Sequence, residues 1–163
     1  MPKVSRPWIS GSGRFRNLHH YSVIPLLPAP GYVHYNGELT DTTEDNRSAP
    51  IGEGNITSTP TDLARWIRQL LCGQAGLNAN TITAMKTRSF SPSPYGWGLS
   101  SITGLGYGHN GADQGYLSLM RYDPDSDVTV VVYFNVWDMA NLKTHQNDLL
   151  TQAALDARKA VGY

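Results

Sequence analysis

The 163-residue sequence has a single cysteine, few charged side chains and no long hydrophobic run. The lone Cys72 excludes an intrachain disulfide, and its position in an apolar helical stretch predicts an inert core thiol. The 13 basic and 13 acidic residues cancel and together make up 16% of the chain. A balanced charge offers no electrostatic footprint for nucleic acid or an anionic membrane surface. Because no run approaches about 18 apolar residues, no membrane span is predicted.

The amino-terminal segment lacks an export signal and any sustained hydrophobic period. Its apolar run, Val23-Ile24-Pro25-Leu26-Leu27, is too short for the core of a signal peptide and is interrupted by proline. The compartment is therefore left unassigned. Residues 1–28 are predicted to form an irregular segment, with a flexible patch at Ser10-Gly11-Ser12-Gly13.

Four of the histidines are scattered along the chain without a metal-binding pattern. They are His19, His20, His34 and His145. They lack a cysteine partner and the His-x-x-x-His spacing that places two ligands on one face of a helix. Chance surface histidines explain them, so no metal site is predicted.

The first helix is indicated by its start signals. Thr59 is a suitable N-cap, Pro60 suits the first helical position, and Asp62 lies where a carboxylate stabilises the start of a helix. The apolar residues that follow at helical spacing are Leu63, Trp66, Ile67, Leu70 and Leu71. Gly73 ends the pattern, and core packing is predicted for the tryptophan on this stripe.

Two further helices are predicted. The shorter one begins after Asn78, a plausible N-cap, and runs through Met85. The last helix spans about residues 141–161. Its predicted apolar face consists of Leu142, Leu149, Leu150, Ala153, Ala157 and Val161.

Strand patterns separated by turn residues occupy much of the second half of the chain. Residues 97–102 alternate weakly, which predicts a core position for Trp97, and residues 115–122 form a second pattern. Residues 129–134 are a β-branched and aromatic run typical of a buried central strand. Turn residues at 123–127 predict an antiparallel hairpin. With residues 37–50 predicted as a polar loop, the pattern indicates a mixed α/β fold in which an antiparallel sheet packs with helices.

The segment Gly108-His109-Asn110-Gly111 gains its meaning from the motifs around it. In chain order these are Ser58-Thr59-Pro60-Thr61-Asp62-Leu63, Tyr95-Gly96-Trp97-Gly98-Leu99, Gly115-Tyr116 and Tyr122-Asp123-Pro124. Taken together they resemble the C-terminal part of the serine β-lactamase-like hydrolases, the superfamily of class C β-lactamases, DD-carboxypeptidases and related esterases. The resemblance covers residues 29–163, where Gly31-Tyr32 matches a pair that opens a strand. It implies an incomplete β-lactamase/transpeptidase-like fold.

The resemblance also implies a substrate-binding role for this segment. His109 takes the place of the residue that brings positive charge or a hydrogen-bond donor beside the substrate and the serine. Asn110 takes the middle place, which hydrogen-bonds the substrate, and Gly111 lets the substrate lie close to the strand backbone. The backbone N–H of Ala112 takes the place of an oxyanion donor. Many members have Thr or Ser in the middle place, and His-x-Gly variants occur among the peptidase and esterase branches.

Taken alone, Asn110-Gly111 is also a signal for a type I′ hairpin turn. Against that alternative, the residues on either side do not make two clean alternating strands. The order of the surrounding motifs favours an active-site strand over a turn.

The nucleophile motif of the resembled family, Ser-x-x-Lys, does not occur in this sequence. Thr83-Ala84-Met85-Lys86 imitates it, but lies in a predicted helix at the wrong place in the order. Tyr133-Phe134-Asn135 matches the family's Tyr-x-Asn as a string, but it ends the strand after His109 and is not taken as catalytic. No Gly-x-Ser-x-Gly elbow is present either.

Two functions from different classes follow. In the first, the chain is the C-terminal part of a serine hydrolase for a small acyl, peptide or β-lactam substrate. It needs no metal or organic cofactor, and a missing N-terminal portion carries the nucleophile, so activity of the chain alone is not expected. In the second, it is a non-catalytic module that binds a peptide or a protein partner. Family members are often periplasmic or secreted. In the family, the sheet is completed by strands from both ends of the chain. Without the amino-terminal strands, an unpaired strand edge and uncovered apolar surface would remain, so self-association is also expected.

Overall fold

The computed structural model describes residues 19–20, 29–46, 52–54, 56–87, 95–139 and 146–163. Its strands are β1 His19–His20, β2 Tyr32–Tyr35, β3 Glu38–Asp41, β4 Ile56–Thr57, β5 Ser100–Ile102, β6 Gly106–Asp113, β7 Tyr116–Asp123, β8 Val128–Phe134 and β9 Val136–Asp138. Its helices are α1 Pro60–Leu71, α2 Ala79–Lys86 and α3 Gln146–Ala160. The predicted mixed α/β class is confirmed. None of the described helices is long and apolar enough to cross a membrane.

The main sheet contains four antiparallel strands in the order β5-β6-β7-β8. The predicted hairpin is confirmed, since β7 and β8 pair around the turn at residues 124–127. Within this sheet β6 lies between β5 and β7, but β5 is much the shorter neighbour. It pairs only with the first part of β6, from Ile102 opposite Gly106 to Ser100 opposite Gly108.

Helices cover both faces of this sheet, because alternate residues of each strand point to opposite sides. On one face, α1 and α2 enclose the cluster Ile67, Leu70, Leu71, Ile82, Leu99 and Tyr122. On the other face, α3 packs on the cluster Leu105, Leu117, Leu119, Leu150 and Ala154. Neighbouring residues of β6 therefore meet different surroundings.

The first two helices begin and end as predicted. The Thr59 hydroxyl accepts a hydrogen bond from the Asp62 backbone N–H at 3.1 Å, and α1 ends before Gly73, whose φ is +73°. Asn78 caps α2 by accepting from the Thr81 N–H at 2.9 Å. Trp66 packs against the cluster beneath α1, as its helical spacing predicts.

The last helix is present, but its predicted apolar face is correct at Leu150 and wrong at Leu149 and Val161. Leu149 is 55% exposed and Val161 is 68% exposed, whereas Leu150 and Ala154 are fully buried. Leu150 and Ala154 are four residues apart, the spacing of one helix face, and the partly buried Leu155 packs beside them. Several alanines and leucines flank this stripe, and the apolar pattern alone did not select the side that meets the sheet. The start of the prediction, residues 141–145, lies outside the described residues.

Two residues predicted for the core lie on the surface. Trp97 is 70% exposed, because β5 begins only at Ser100 and the tryptophan lies in the bend before it. Cys72 is exposed, because it is the C-cap of α1 and not part of its apolar stripe. Its thiol lies 3.5 Å from the hydroxyl oxygen of Tyr122.

Strand β8 was predicted to be central, but among the described strands it lies at the edge of the main sheet. Most of its residues are half-buried, since α1 packs on one of its faces and α3 on the other. Cover on both faces explains the continuous β-branched composition without a neighbouring strand on the far side.

A second sheet has the order β3-β2-β9, with β2 antiparallel to β3 and parallel to β9. Gly31-Tyr32 does open a strand, but the predicted loop over residues 37–50 is wrong at β3. The turn between these strands is Asn36-Gly37, with φ of +50° and +81°, which is the Asn-Gly signature of a type I′ turn. The short β1 pairs with β4, so the predicted irregular segment contains a strand at His19–His20. The rest of residues 1–28 lies outside the described residues.

One ion pair fastens α3 to the β7–β8 turn and makes stability depend on pH. Arg158 donates to Asp123 at 2.7 Å, and the side chains are 14% and 15% exposed. Hydrogen bonds from Ser126, from the Asp125 N–H and from Arg158 lower the pKa of Asp123. The unfolded value is about 3.9. The stabilisation is therefore fully present above about pH 4 and is lost as the pH falls through the lower folded-state pKa.

Asp123→Asn should lower the free energy of unfolding by about 1–3 kcal/mol at pH 7 and by much less at a pH below the folded-state pKa of Asp123, where this carboxyl is protonated in both states. Urea unfolding at the two pH values measures this difference. Asp125→Asn is the matched control, because Asp125 is exposed and has no ion pair among the described residues, and it should change stability little at either pH. An equal loss at both pH values for Asp123→Asn would contradict the linkage.

Candidate functional site

The His-Asn-Gly segment lies inside β6 and not in a turn. Asn110 pairs with Leu119 and Gly111 with Ser118, so the type I′ alternative is wrong. The turn is formed instead by Gln114-Gly115, where Gly115 has a φ of +82°. The triplet therefore belongs to a paired strand, as the resemblance implies.

Beyond Gly108, β6 has no described strand on the side away from β7. The reason is that Ser100, the first residue of β5, pairs with Gly108, and β5 runs from there toward Gly106. We call the backbone of Asn110–Ala112 on that side the open edge. Only two residues link β6 to β7, so Asp113 and Tyr116 form the hydrogen-bonded pair that closes the hairpin. Hydrogen-bonded and non-hydrogen-bonded pairs then alternate along the strand. This alternation points the backbone N–H and C=O of Asn110 and Ala112 away from β7.

The backbone N–H of Ala112 thus faces the open edge, and the residue itself is exposed. By the same alternation, the N–H of Gly111 points to β7 and is used in the ladder. A substrate carbonyl lying along β6 would meet the Ala112 donor and not the Gly111 donor. An N–H that is not used in the ladder is available to a group that approaches this edge.

His109 points to the opposite face from Asn110, and its ring has two polar contacts. Nδ1 contacts the carbonyl oxygen of Asn110, which can only accept, so Nδ1 carries the proton. In the neutral ring Nε2 is then an acceptor, and the Tyr95 hydroxyl donates to it at 2.7 Å. The two rings meet edge to face, with centroids 5.5 Å apart. Tyr95 therefore orients the imidazole at the start of the open edge.

Asn110 lies on the α3 face, and both ends of its amide are bonded within the chain. Arg121 donates from Nη2 to Asn110 Oδ1 at 2.5 Å, and Asn110 Nδ2 donates to Asn147 Oδ1 at 3.1 Å. The resemblance implies that the middle residue of the triplet hydrogen-bonds the substrate. In this structure the part of Asn110 that faces the open edge is its backbone.

Arg121 is a buried cation beneath the triplet. It is 2% exposed, and no carboxylate of the described residues pairs with it. Its Nη1 donates to the Ser100 carbonyl at 2.9 Å and to the Ser100 hydroxyl at 2.8 Å, while its buried Nε has no hydrogen-bond partner in the described part of the chain. Desolvation lowers the pKa of Arg121 to about 10, which still leaves it charged at neutral pH.

Tyr95 and Arg121 received no role from the sequence, although both left a signal. Tyr95 stands in the quoted Tyr-Gly-Trp-Gly-Leu motif, but its partner lies 14 residues away and only folding brings them together. Arg121 occupies an inward position of β7, in step with Leu117 and Leu119. A charged residue at an apolar position of period two was a readable sign of a buried polar network.

The two imitations of family motifs have structural roles. In α2, Thr83 accepts a hydrogen bond through its carbonyl, and the ammonium of Lys86 lies 4.9 Å from the centroid of the Tyr107 ring. Asn135 donates to the Pro30 carbonyl at 2.8 Å. Burial raises the pKa of Tyr133 to about 12, which keeps its hydroxyl protonated at neutral pH. These contacts agree with leaving both strings out of the catalytic group.

Among the described residues no metal cluster is found at the triplet, and none of the three triplet residues lines the cavity beside the second sheet. No group of three or more His, Cys, Asp or Glu suited to a metal is found among the described residues, and His34 is paired with Asp138 at 2.9 Å. An open cavity of about 540 Å³ lies beside the second sheet. Its lining includes Val33, Tyr35, Trp137, Met139 and, from the β6–β7 hairpin, Gln114.

Comparison with known proteins bears on the family and the fold. The family described as Beta-lactamase matches residues 5–155, a range that takes in most of the amino-terminal segment left unmatched by the motifs. A D-stereospecific amidohydrolase from Streptomyces sp. is 26% identical with a TM-score of 0.58, and the alignment covers 75% of this chain and 37% of that one. A comparison with curated protein sequences finds no match.

Two further solved structures share the fold. D-amino acid amidase from Ochrobactrum anthropi SV3, complexed with L-phenylalanine, has 20% identity and a TM-score of 0.73, with 91% of this chain and 50% of that chain covered. FmtA from Staphylococcus aureus has 23% identity and a TM-score of 0.53, with 76% and 35% covered. The chain thus spans half or less of the length of these proteins.

Proposed function

Since the chain belongs to the beta-lactamase family, we propose that it carries the substrate-binding strand of a serine hydrolase. The observation that supports this most directly is the open edge of β6, where the Ala112 N–H points away from the paired strand. A substrate that lies antiparallel to this edge replaces the missing strand by backbone hydrogen bonds. Asn110 and Gly111 precede Ala112 on this edge, and His109 lies just before it.

In the proposed reaction, the serine hydroxyl gives its proton to the lysine of the Ser-x-x-Lys motif as its oxygen adds to the substrate carbonyl, and the carbonyl oxygen becomes an oxyanion. The Ala112 N–H donates to that oxyanion and stabilises it more than it stabilises the neutral carbonyl of the unreacted substrate. His109, oriented by Tyr95, places its imidazole ring beside the substrate. The tetrahedral intermediate collapses and expels the amine or alcohol, which takes up the proton removed from the serine. The acyl-serine that is left is then hydrolysed by water, which releases the acid and regenerates the serine.

The substrate class that we propose is the amide or short peptide of a D-amino acid. The Streptomyces relative, at 26% identity, is a D-stereospecific amidohydrolase, and a structural neighbour is a D-amino acid amidase. Asn110 in the middle place of the triplet also departs from the Thr or Ser of many β-lactam-hydrolysing members. Both observations favour an acyclic amide over a β-lactam.

The serine and its lysine are not in this sequence, which has no Ser-x-x-Lys. In the proposed enzyme they come from a portion of the protein that this sequence does not include. We therefore expect the 163-residue chain alone to bind such substrates without turning them over.

The absence of that motif also favours a second candidate, a non-catalytic module that binds D-amino-acid peptides or a protein partner at the same edge. The two candidates share the open edge and differ in the nucleophile. Only the hydrolase gains activity when a segment with Ser-x-x-Lys is supplied.

The test begins with the purified chain, a fluorophosphonate and intact-mass measurement. No adduct is expected, and a stoichiometric adduct would overturn both candidates because it would reveal a nucleophile within the chain. The chain is then combined with the Ser-x-x-Lys portion of a family member, and hydrolysis of D-phenylalanine amide is measured. We expect activity that His109→Ala lowers at least about 100-fold, the usual contribution of a positioned proton-handling group.

His34→Ala is the matched control for this test. His34 is another half-buried histidine with one polar partner, but it lies on the second sheet, away from β6. It should leave the reconstituted rate within about twofold. If the mixture stays inactive while the chain still binds D-phenylalanine amide, the binding module replaces the hydrolase.

A further inference from the structure

The open edge begins where one side chain holds two strands at once. Arg121, on β7, reaches under β6 and donates from Nη1 to the carbonyl and hydroxyl of Ser100, the first residue of β5. From Nη2 it donates to Oδ1 of Asn110, the first residue of the open edge. The guanidinium therefore spans the point at which pairing with β5 stops.

The orientation of Asn110 follows from this contact. An arginine can only donate, so the Asn110 oxygen must face Arg121 and the amide nitrogen must face away. That nitrogen donates to Asn147, in the first turn of α3. Arg121 thus determines which end of the amide meets the helix, and it keeps the side chain off the open edge.

The cost of burying Arg121 indicates that this arrangement is not incidental packing. Arg121 is only 2% exposed and has no carboxylate partner among the described residues. Its Nε also has no hydrogen-bond partner in the described part of the chain. A buried unpaired cation destabilises a fold, and a leucine or methionine in the same inward row would avoid this cost. What the arginine adds is a planar fork that can hold two acceptors at a fixed separation.

We propose that Arg121 is a positioning residue for the open edge. By holding Ser100 and Asn110 together, it fixes the backbone of Asn110–Ala112 in the conformation that binds substrate. Asn110 then acts as a structural link from β6 to α3, and the substrate meets its backbone. The contribution to substrate binding rests on the proposed function, whereas the effect on the edge itself can be measured without a ligand.

The ligand-free test uses ¹⁵N nuclear magnetic resonance on the full chain. Arg121→Met removes every donor at similar volume, and Arg121→Lys keeps the charge but not the fork. We expect Arg121→Met to shift the Asn110 side-chain amide signals and to increase backbone motion at Ala112, with Arg121→Lys in between. Unchanged signals and motion at both sites would overturn the proposal.

Arg158→Met is the matched control for a merely structural effect. Arg158, in α3, is also largely buried and donates to three acceptors. Its partners Asp123 and Ser126 lie in and beside the β7–β8 turn, at the other end of the sheet. It should lower stability without affecting Asn110 or Ala112. If it alters these two residues as much as Arg121→Met does, the effect is general loosening and the proposal fails.

Binding of D-phenylalanine amide supplies the functional readout. We expect Arg121→Met to weaken binding at least tenfold, Arg121→Lys to recover part of the loss, and Arg158→Met to stay within twofold. Wild-type affinity in a variant with a loosened edge would overturn the positioning role. If the wild-type chain does not bind this probe, the proposed substrate class fails, and the ligand-free measurement still decides the role of Arg121.

Should Arg121→Met fail to fold, Asn110→Ala answers the same question, since it removes the amide that links Arg121 to Asn147 and leaves Arg121 in place. This variant should retain the ¹⁵N nuclear magnetic resonance spectrum of a folded protein. It should bind D-phenylalanine amide at least tenfold more weakly and show more backbone motion at Ala112. A rigid Ala112 with unchanged affinity in this variant would refute the link through Asn110.

Discussion

Ala112→Pro should abolish most of the activity of the reconstituted hydrolase while leaving the chain folded. Proline removes the backbone N–H, and the Ala112 N–H points to the open edge and not into the β6–β7 ladder. Proline is tolerated in edge strands when its missing N–H faces outward. Loss of one oxyanion donor typically lowers kcat about 100- to 1000-fold. Turnover of D-phenylalanine amide and the circular dichroism melt of the variant measure the two effects.

The neighbouring residue provides a control of opposite character. Gly111→Pro removes an N–H that β6 donates to β7, so it should disrupt the hairpin and lower the melting temperature markedly. If Ala112→Pro instead unfolds the chain, the assigned direction of its N–H is wrong. If Ala112→Pro keeps wild-type kcat, the oxyanion donor lies elsewhere.

Gly108→Ala should strongly destabilise the strand that carries the triplet. A Cβ at this position would lie 1.9 Å from the Met120 carbonyl oxygen, which belongs to the backbone of β7 and cannot rotate away. Overpacking of a core commonly costs 1–3 kcal/mol, and with a backbone atom in the way we expect about 3 kcal/mol or more. Denaturant unfolding of the full chain measures it.

Gly111→Ala, three residues along the same strand, is the comparison. Its Cβ would meet the Ser118 hydroxyl at 2.5 Å, a side-chain atom that can turn aside. The expected loss is smaller than for Gly108→Ala, and Gly111→Ala/Ser118→Ala should restore part of it. Equal losses at the two glycines would show that β7 can shift to accept a side chain at Gly108.

The parts of the fold that depend on neighbouring residues were predictable from the sequence. The start of α1 is one case, because the cap at Thr59, the proline after it and the apolar stripe all act within a few residues. The β7–β8 hairpin is another, since its turn residues stand between two strand patterns. The Asn36-Gly37 turn carried a local signal of the same kind, and it predicts β3 once it is read with the residues on both sides.

The parts that depend on distant contacts were not predictable. The choice of Leu150 over Leu149 for burial depends on where α3 meets the sheet, and both leucines fit an apolar stripe. In the candidate site, the motif order indicates that His109 and Ala112 share a strand. The motif order does not indicate where pairing between β5 and β6 stops. That point determines which backbone N–H groups of β6 have no partner strand among the described residues. Arg121 and Tyr95 acquire roles only when they are brought to Asn110 and His109.

The parallel pairing of β2 with β9 has a consequence for the order of folding. His34 and Asp138, which face each other across these strands, are 104 residues apart in the chain. The β6-β7-β8 meander closes loops of a few residues, and closing a longer loop costs more chain entropy before any contact is gained. The meander should therefore form first and the second sheet last. Since the Thr42 hydroxyl, just past β3, lies 3.2 Å from the Gln114 carbonyl, the tip of the β6–β7 hairpin acquires its final support only in that late step.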